Sequence, residues 1–294
     1  MAGKGRALRG RIRSVDNTRK ITRTMELVAT SKLKRAQDRV IAARPYAESL
    51  RAVIADLVTP ELAAEFPLLR KPAPPARGGP RAAAVILVTS NRGLAGAFNS
   101  NLIKEAKRRI EELEGRGYTV ELHSVGKKGA GYFKYLGRPL AADRQDIGDR
   151  PTAEHAASLV GPLIAAYEAG KLAGVDLVHA KFQSALSTPP VTTPVLPVEA
   201  PDRPRGVRPD YILRPSPRAI LEQLLPLYVQ NMVYRGLVET AAGEQGARRT
   251  AMKNATDNAG DIIEYLRRTY NRQRQAAITQ EISEIVGGAA ALQQ

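Results

Sequence analysis

Cysteine and tryptophan are absent from the 294-residue chain, and histidine occurs only three times. The lack of cysteine excludes disulfides, thiolate catalysis, Cys-ligated zinc and thiol-based redox control. The histidines, His123, His155 and His179, lie far apart, and no pair has the spacing of two metal ligands on one helix. We therefore expect no metal centre and assign the three rings to packing or to the surface.

Motifs of common enzyme classes are lacking as well. Neither a G-x-x-x-x-G-K-[ST] phosphate loop nor a G-x-G-x-x-G fingerprint occurs in the sequence. No cluster of serine, histidine and acid, and no pair of carboxylates in an apolar setting, indicates hydrolysis. The sequence therefore predicts no catalytic site and no bound cofactor.

Long apolar runs are missing too. None approaches the ~20 residues that a bilayer span needs, and the basic start, residues 1–10, lacks the apolar region of a secretory signal. Aromatic residues make up only 5% of the chain, so Ala, Leu, Val and Ile must do most of the packing, as in helix-rich proteins. We expect a soluble, intracellular protein.

Positive charge is the strongest compositional signal. The formal net charge is +16, and residues 1–44 alone hold thirteen Lys or Arg against three acids. Such a concentration predicts an acidic partner: nucleic acid, an anionic membrane or an acidic protein surface. Composition does not choose among these three.

The first and last segments have a helical pattern. Steps of four and three residues from Leu8 to Leu57 meet an apolar residue at twelve of fifteen positions, which is typical of a helix with a coiled-coil seam. Pro45 is a possible break. Residues 217–294 return to a helical pattern and have no proline after Pro226. Two such helices pair most simply with each other, antiparallel.

The seam of the first helix is interrupted at Arg19, Thr22 and Glu26, where apolar residues shift to a neighbouring face. Those apolar residues are Ile21, Met25 and Val28. Two interpretations stay open. The packing stripe is locally rotated, or the polar residues of this stretch meet an outside partner.

The middle of the chain has a different pattern. Residues 59–80 and 201–216 are predicted linkers, and residues 81–200 form a compact domain between helical segments 1–58 and 217–294. Within it, strands are predicted at 82–89, 118–125 and 175–182, and helices at 98–113, 127–136 and 153–167. Asn99 or Ser100 and Thr152 are predicted helix caps. Alternating strands and helices favour a small parallel α/β layer.

Two glycine-containing loops follow predicted strands. The loop at 90–96 precedes a helix, which is the usual ligand position in an open α/β sheet. The basic loop at 126–131 has the composition of an anion site, but a turn with solvated lysines is the favoured interpretation.

Four stretches resemble one family, the gamma subunits of F-type ATP synthases of bacterial type. They are residues 12–22 (IRSVDNTRKIT) with 25–32 and 44–46, residues 92–99 (RGLAGAFN), residues 251–258 (AMKNATDN), and residues 270–282 (YNRQRQAAITQEI) with 284–289. Ala95 stands where the family often has cysteine. The resemblance covers essentially the whole chain.

The resemblance implies an α/β chain in which a long antiparallel coiled coil of N- and C-terminal helices carries an inserted Rossmann-like α/β domain. It implies a non-catalytic rotor shaft, the central stalk, inside a ring of three alpha and three beta subunits. The inserted domain would be the foot bound to the epsilon subunit and the membrane c-ring. Proton flow would drive ATP synthesis in the beta subunits, with the shaft peripheral to the cytoplasmic face of the bacterial inner membrane.

Carried over by motif, the resemblance also implies contact residues. Lys20, Arg23 and Met25 should approach an acidic loop of the beta subunits. Arg274, Gln275 and Thr279 should form polar contacts with beta, and Tyr211 should lie at the foot facing the c-ring.

Arg214 stands in that foot region where some relatives carry an acid. The paired cysteines of the chloroplast-type regulatory insert are absent. The alternative function is a basic coiled-coil protein that binds nucleic acid. Two features that would support this alternative are missing from the sequence: aromatic residues interleaved among the basic residues 1–44, and a known DNA-binding module.

Overall fold

The computed structural model describes residues 2–70, 81–199, 214 and 216–291. The described residues form two compact units. One contains the chain up to Ala29 together with the chain from Arg249 onward, and the other contains Thr30–Arg248. Both units include part of each terminal helix, α1 (Ala2–Leu57) and α6 (Pro217–Ala291).

Helix α1 continues through Pro45. A proline inside a helix leaves the carbonyl four residues earlier without its hydrogen bond. Here both Pro45 and Ile41 are exposed, so water can solvate that carbonyl. Helix α6 begins with a proline, Pro217, at a position where the missing N–H is harmless. The Ser216 hydroxyl accepts a 3.2 Å hydrogen bond from the amide of Ala219 and caps this end.

A five-stranded sheet organises the larger unit. The strands are β1 (Arg81–Val88), β2 (Tyr118–Val125), β3 (Ala142–Arg144), β4 (Leu172–Ala180) and β5 (Pro190–Leu196), in the order β3-β2-β1-β4-β5. Strands β1 to β4 pair in parallel, and β5 joins β4 antiparallel. The chain reverses its direction of strand addition beside β1, as in doubly wound nucleotide-binding folds.

Four further helices and a short 3₁₀ helix complete this unit: α2 (Pro60–Glu65), the 3₁₀ helix (Pro67–Leu69), α3 (Phe98–Gly115), α4 (Lys127–Tyr135) and α5 (Ala153–Glu168). The predicted cap of α5 is confirmed: Thr152 accepts from the amide of His155, and the His155 ring accepts from the amide of Thr152. The predicted cap of α3 is wrong. Helix α3 begins after Ala97 without a side-chain cap, because Asn99 is bonded to Ser90 instead.

Both faces of the sheet are buried. Alternate residues of β1 point to opposite faces, so Ala84, Ile86 and Val88 pack with α5, α1 and α6. Ala83, Val85 and Leu87 pack on the other face against α3 and α4. Near-continuous apolar strands are typical of parallel sheets covered on both sides. The α/β class is confirmed, but the predicted all-parallel layer is corrected by β5.

Helix α6 is buried all around between residues 236 and 246, and small side chains there allow close packing. A Cβ atom built on Gly236 would lie 2.5 Å from Leu177 Cδ2, and one on Gly246 would lie 2.9 Å from the carbonyl oxygen of Ala185. The glycines that weaken the isolated helix therefore let it approach β4 and the loop after β4.

Polar residues in the buried part of α6 bind the sheet. Thr240 accepts a 3.1 Å hydrogen bond from the amide of Ala180, and Glu239 accepts a 3.2 Å bond from the amide of Phe182. Both amides belong to the end of β4 and the residues after it. The helix thus satisfies backbone groups at the sheet's carboxyl edge.

Candidate interaction surfaces

The terminal helices run antiparallel in the smaller unit. The guanidinium of Arg9 donates a 2.7 Å hydrogen bond from Nε to the Tyr270 hydroxyl and lies 5.1 Å from the centre of that ring. Thr256 donates a 2.8 Å bond to the Thr22 hydroxyl. The residue numbers of both pairs add to nearly the same total, which is the signature of antiparallel pairing.

The same register occurs within the larger unit. Ala36 and Val40 of α1 share an apolar cluster with Val238 and Ala242 of α6. The seam positions between Ala29 and Leu57 are buried except Ala43, which is half-buried. The predicted antiparallel helix pair is confirmed in each unit taken by itself.

The interruption of the α1 seam does not rotate the packing stripe. Thr22 and Glu26 are half-buried on the α6 side, while Ile21 is 60%, Leu27 58% and Val28 51% exposed. The interpretation as a rotated stripe is therefore wrong. Polar residues continue the seam because Thr22 finds a partner in Thr256, and apolar side chains are left on the outer face.

Two of the predicted beta-contact residues, Lys20 and Arg23, are exposed, and in the described part of the chain each pairs with an acid of its own helix. Lys20 binds Asp16 at 2.8 Å and Arg23 binds Glu26 at 3.0 Å. The hydrogen bond from Lys20 lowers the pKa of Asp16 below its ordinary value, helped by Arg19 and Arg267. Exposed pairs of this kind contribute little to stability, so their cations remain able to meet another anion.

An open groove of about 700 Å³ lies beside these cations in the smaller unit. It is lined by Arg19, Lys20, Arg23 and Thr24 of α1 and by Thr256, Asp257, Gly260 and Asp261 of α6. Met25, the third predicted contact, is half-buried next to the helix pair and does not line the groove.

The three predicted contacts on α6, Arg274, Gln275 and Thr279, are exposed. The Thr279 hydroxyl donates to the carbonyl of Gln275 at 3.0 Å, which fixes these two residues relative to each other. Helix α1 begins at Ala2, so in this register its described residues offer no counterpart to α6 beyond about residue 277. Consistently, Ile278, Ile282, Ile285 and Val286 are exposed.

The structure describes one of the two predicted foot contacts. Tyr211 lies outside the described residues, and Arg214 is an exposed residue in a bend. No contact in the described part of the chain assigns a role to Arg214.

At the carboxyl end of the sheet, the residues after β1 are hydrogen-bonded to the residues after β2. At the start of α4, the amide of Lys127 donates to Asn91 Oδ1, that of Lys128 to the Ser90 carbonyl, and that of Gly129 to Thr89 Oγ1. Gly126, with φ of 99°, approaches Thr89 more closely than any other residue could. These bonds occupy the amides that would otherwise hold an anion, which argues against an anion site. Residues 127–131 form the start of helix α4 rather than an open turn.

A cleft of about 590 Å³ remains beside this loop pair. Its lining mixes both charge signs and includes Arg92, Lys127, Asp146, Asp149 and Glu244. Burial raises the pKa of Glu244, and the ion pair with Arg248 opposes that change. Among the described residues, no group of His, Cys, Asp and Glu has the arrangement of a metal site, and no helix qualifies as a membrane span.

The surfaces that the sequence did not reveal are those formed by long-range pairing. Neither the Thr22–Thr256 contact nor the outward direction of Ile21 and Val28 follows from the local pattern, because both depend on where α6 lies. The four-three spacing signalled which residues share a face but not which face is covered.

Comparisons with known proteins identify the family. The family model described as ATP synthase matches residues 4–292. The ATP synthase gamma chain of Gemmatimonas aurantiaca is 61% identical over 292 residues, with 99% of each chain covered. The gamma chain of Frankia casuarinae is 44% identical over 300 residues, again with 99% of each covered.

Solved structures share the fold. A chain from the Euglena gracilis mitochondrial ATP synthase, in a structure of OSCP, F1 and c-ring, has a TM-score of 0.69 at 19% identity. It covers 99% of this chain and 95% of its own. A chain from the central stalk and c-ring of the Tetrahymena thermophila mitochondrial enzyme has a TM-score of 0.59 at 24% identity, with 80% and 99% covered. With a near-complete match at 61% identity, the chain belongs to the ATP synthase gamma chain family.

Proposed function

We propose that the chain is the gamma subunit of an F-type ATP synthase, the rotor shaft that couples proton flow through a membrane c-ring to ATP synthesis or hydrolysis. Catalysis takes place in the beta subunits, and the shaft itself is not catalytic. The observation that carries this proposal is the full-length family match. The nucleic-acid alternative gains no support from that match.

A shaft acts by contacting one state of a partner differently from another, which shifts the populations of those states. The smaller unit has surfaces suited to this. On α1 it exposes Ile21, Leu27 and Val28, of which Ile21 and Val28 lie two turns apart on the same side of the helix. Since the two helices differ in sequence, the three beta subunits of a surrounding ring would meet different faces.

Lys20, Arg23 and Met25 are the proposed contacts to an acidic loop of the beta subunits. The support is electrostatic: residues 1–44 carry a formal charge of +10, and the ion pairs of Lys20 and Arg23 are solvent-exposed. Long-range attraction of this kind steers association without close shape matching. Met25 lies beside the exposed apolar residues and would add a packing contact.

Arg274, Gln275 and Thr279 are the proposed polar contacts farther along α6. All three are exposed on α6, so their side chains are available to another protein. From residue 275 onward the only charged side chains are Glu281 and Glu284. A helix end of this composition can rotate within an apolar channel without breaking strong ion pairs.

The remaining assignments concern the foot. Residues 81–200 would bind epsilon and the c-ring, with Tyr211 and Arg214 near the ring, and residues 59–80 and 201–216 would link this domain to helical segments 1–58 and 217–294. The protein would be peripheral to the cytoplasmic face of the bacterial inner membrane.

A tagged copy purified from the native cell at moderate salt, with nuclease present, tests the proposal. Recovery of alpha, beta and epsilon subunits in one ATPase-active complex is expected. Recovery of none of them would overturn the assignment. Because nuclease removes nucleic acid, a bridging nucleic acid cannot produce the expected result.

A further inference from the structure

A small basic cavity lies between α1, α6 and the loop before α5 in the larger unit. Its volume is about 130 Å³, and it is lined by Lys32, Arg35, Ala36, Arg39, Asp149, Arg150 and Gln245. Four of these side chains are cations and one is a carboxylate. None of its lining residues is among the individual partner contacts that the proposed function names.

The single carboxylate is already engaged. Lys32 Nζ lies 2.5 Å from Asp149 Oδ2, and Arg39 Nη1 donates a 3.0 Å hydrogen bond to the Asp149 carbonyl. Arg35 donates to the neutral Ser31 hydroxyl at 3.0 Å. The lining therefore keeps a positive excess, because one carboxylate cannot neutralise four cations.

Gln245 is the second observation that points to a ligand. The residue is only 2% exposed and lines this cavity, yet its Nε2 has no acceptor among the described residues. Buried amide donors nearly always find a partner, and an orphaned one calls for an explanation. An acceptor bound in the cavity provides it.

We propose that this cavity binds a small tetrahedral oxyanion of the inorganic phosphate type. Such an ion offers acceptors in every direction, and the cavity offers donors from three separate elements. Ammonium, guanidinium and amide groups make strong bonds to anionic oxygens. A planar carboxylate presents its two oxygens to one side only, and a nucleotide exceeds the volume available.

Phosphate titration of the purified full-length chain tests the proposal by calorimetry, with ionic strength held constant by chloride. Saturable binding is expected. Arg35→Gln, which removes an exposed charge, and Gln245→Leu, which removes the buried donor, should each weaken it by about tenfold. Lys34→Gln is the matched control, since Lys34 lies on the same helix, pairs with Asp38 and does not line the cavity.

Two results would overturn the proposal. The first is the absence of saturable phosphate binding by the unmodified chain. The second is unchanged affinity in Arg35→Gln, whose exposed site makes it tolerant of substitution even if Gln245→Leu does not fold. Acetate should fail to displace phosphate; displacement would instead assign the cavity to an acidic side chain of a protein partner.

Discussion

Gly246 of α6 lies directly against the carbonyl of Ala185, so that a Cβ atom on Gly246 would come within 2.9 Å of that oxygen. The contact joins α6 to the loop between β4 and β5. It explains why a residue with poor helix propensity occupies a buried turn of a long helix.

Replacement of Gly246 by alanine is expected to destabilise the chain. Alanine favours a helix by up to about 1 kcal/mol over glycine, but the clash with a backbone oxygen forces a shift that costs about 1–3 kcal/mol. Gly260→Ala is the matched control, because a Cβ there meets nothing within 4 Å. Urea unfolding of the full-length chain should show a loss for the first variant and a gain for the second; a gain for both would contradict the close packing.

One buried and one half-buried histidine, His179 and His123, predict acid sensitivity. Burial lowers the pKa of His123 and of His179 below the ordinary 6.5, against the opposing effects of Glu121 and Glu239. As the pH falls through 6.5, the unfolded chain binds protons that the folded chain does not, so the free energy of unfolding decreases.

The combined His123→Gln and His179→Gln variant should therefore lose less stability than the parent when the pH falls from about 7.5 to about 5.5, a window centred on the ordinary histidine pKa of 6.5. The quantity to compare is the slope of the unfolding free energy against pH, because the carboxyl groups common to both chains contribute equally to both slopes. Equal slopes would show that neither ring is held neutral by burial.

Met25→Lys in an assembled complex should impair coupling between proton flow and ATP synthesis. In the proposed contact, a new cation at position 25 would meet an acidic loop of the beta subunits and add an attraction of about 1–4 kcal/mol in some rotational positions, which would resist turning. The measurement is ATP formed per proton transported, with Met25→Leu as the control of similar size. Normal coupling with the lysine present would count against the beta contact.

Arg274→Ala with Gln275→Ala should lower both ATPase rate and torque. Each side chain is exposed, so stability of the isolated chain should stay within about 0.5 kcal/mol of the parent. This separates a lost partner contact from a damaged fold. Unchanged rate and torque would remove these residues from the set of beta contacts.

The sequence predicted those elements whose pattern is local. The apolar steps from Leu8 to Leu57 matched a single helix, and Tyr118–Val125 was predicted to the residue. Strand β5 was missed because Pro190 and Pro194 argue against a strand. The two prolines are tolerated because β5 lies at the edge of the sheet. Strand β3, of three residues, is too short to show a period.

The candidate surfaces were predicted only in part, for the same reason. Lys20, Arg274 and Gln275 are exposed as expected, because charge and polarity mark solvent faces locally. The outward direction of Ile21 depends on a partner more than 200 positions away, and no local pattern contains that information. The sequence alone does not distinguish Gln245 from other polar residues, because its burial becomes visible only in the structure.

Rotation is the most direct test of the central claim. The chain has no cysteine, so Tyr135→Cys, at a side chain that is 88% exposed on α4, creates a unique attachment site in it for a bead. In a complex immobilised through its beta subunits, the bead should rotate in one direction on addition of ATP, with three equal steps per turn. ATP hydrolysis by the labelled complex without rotation of the bead would contradict a rotor shaft.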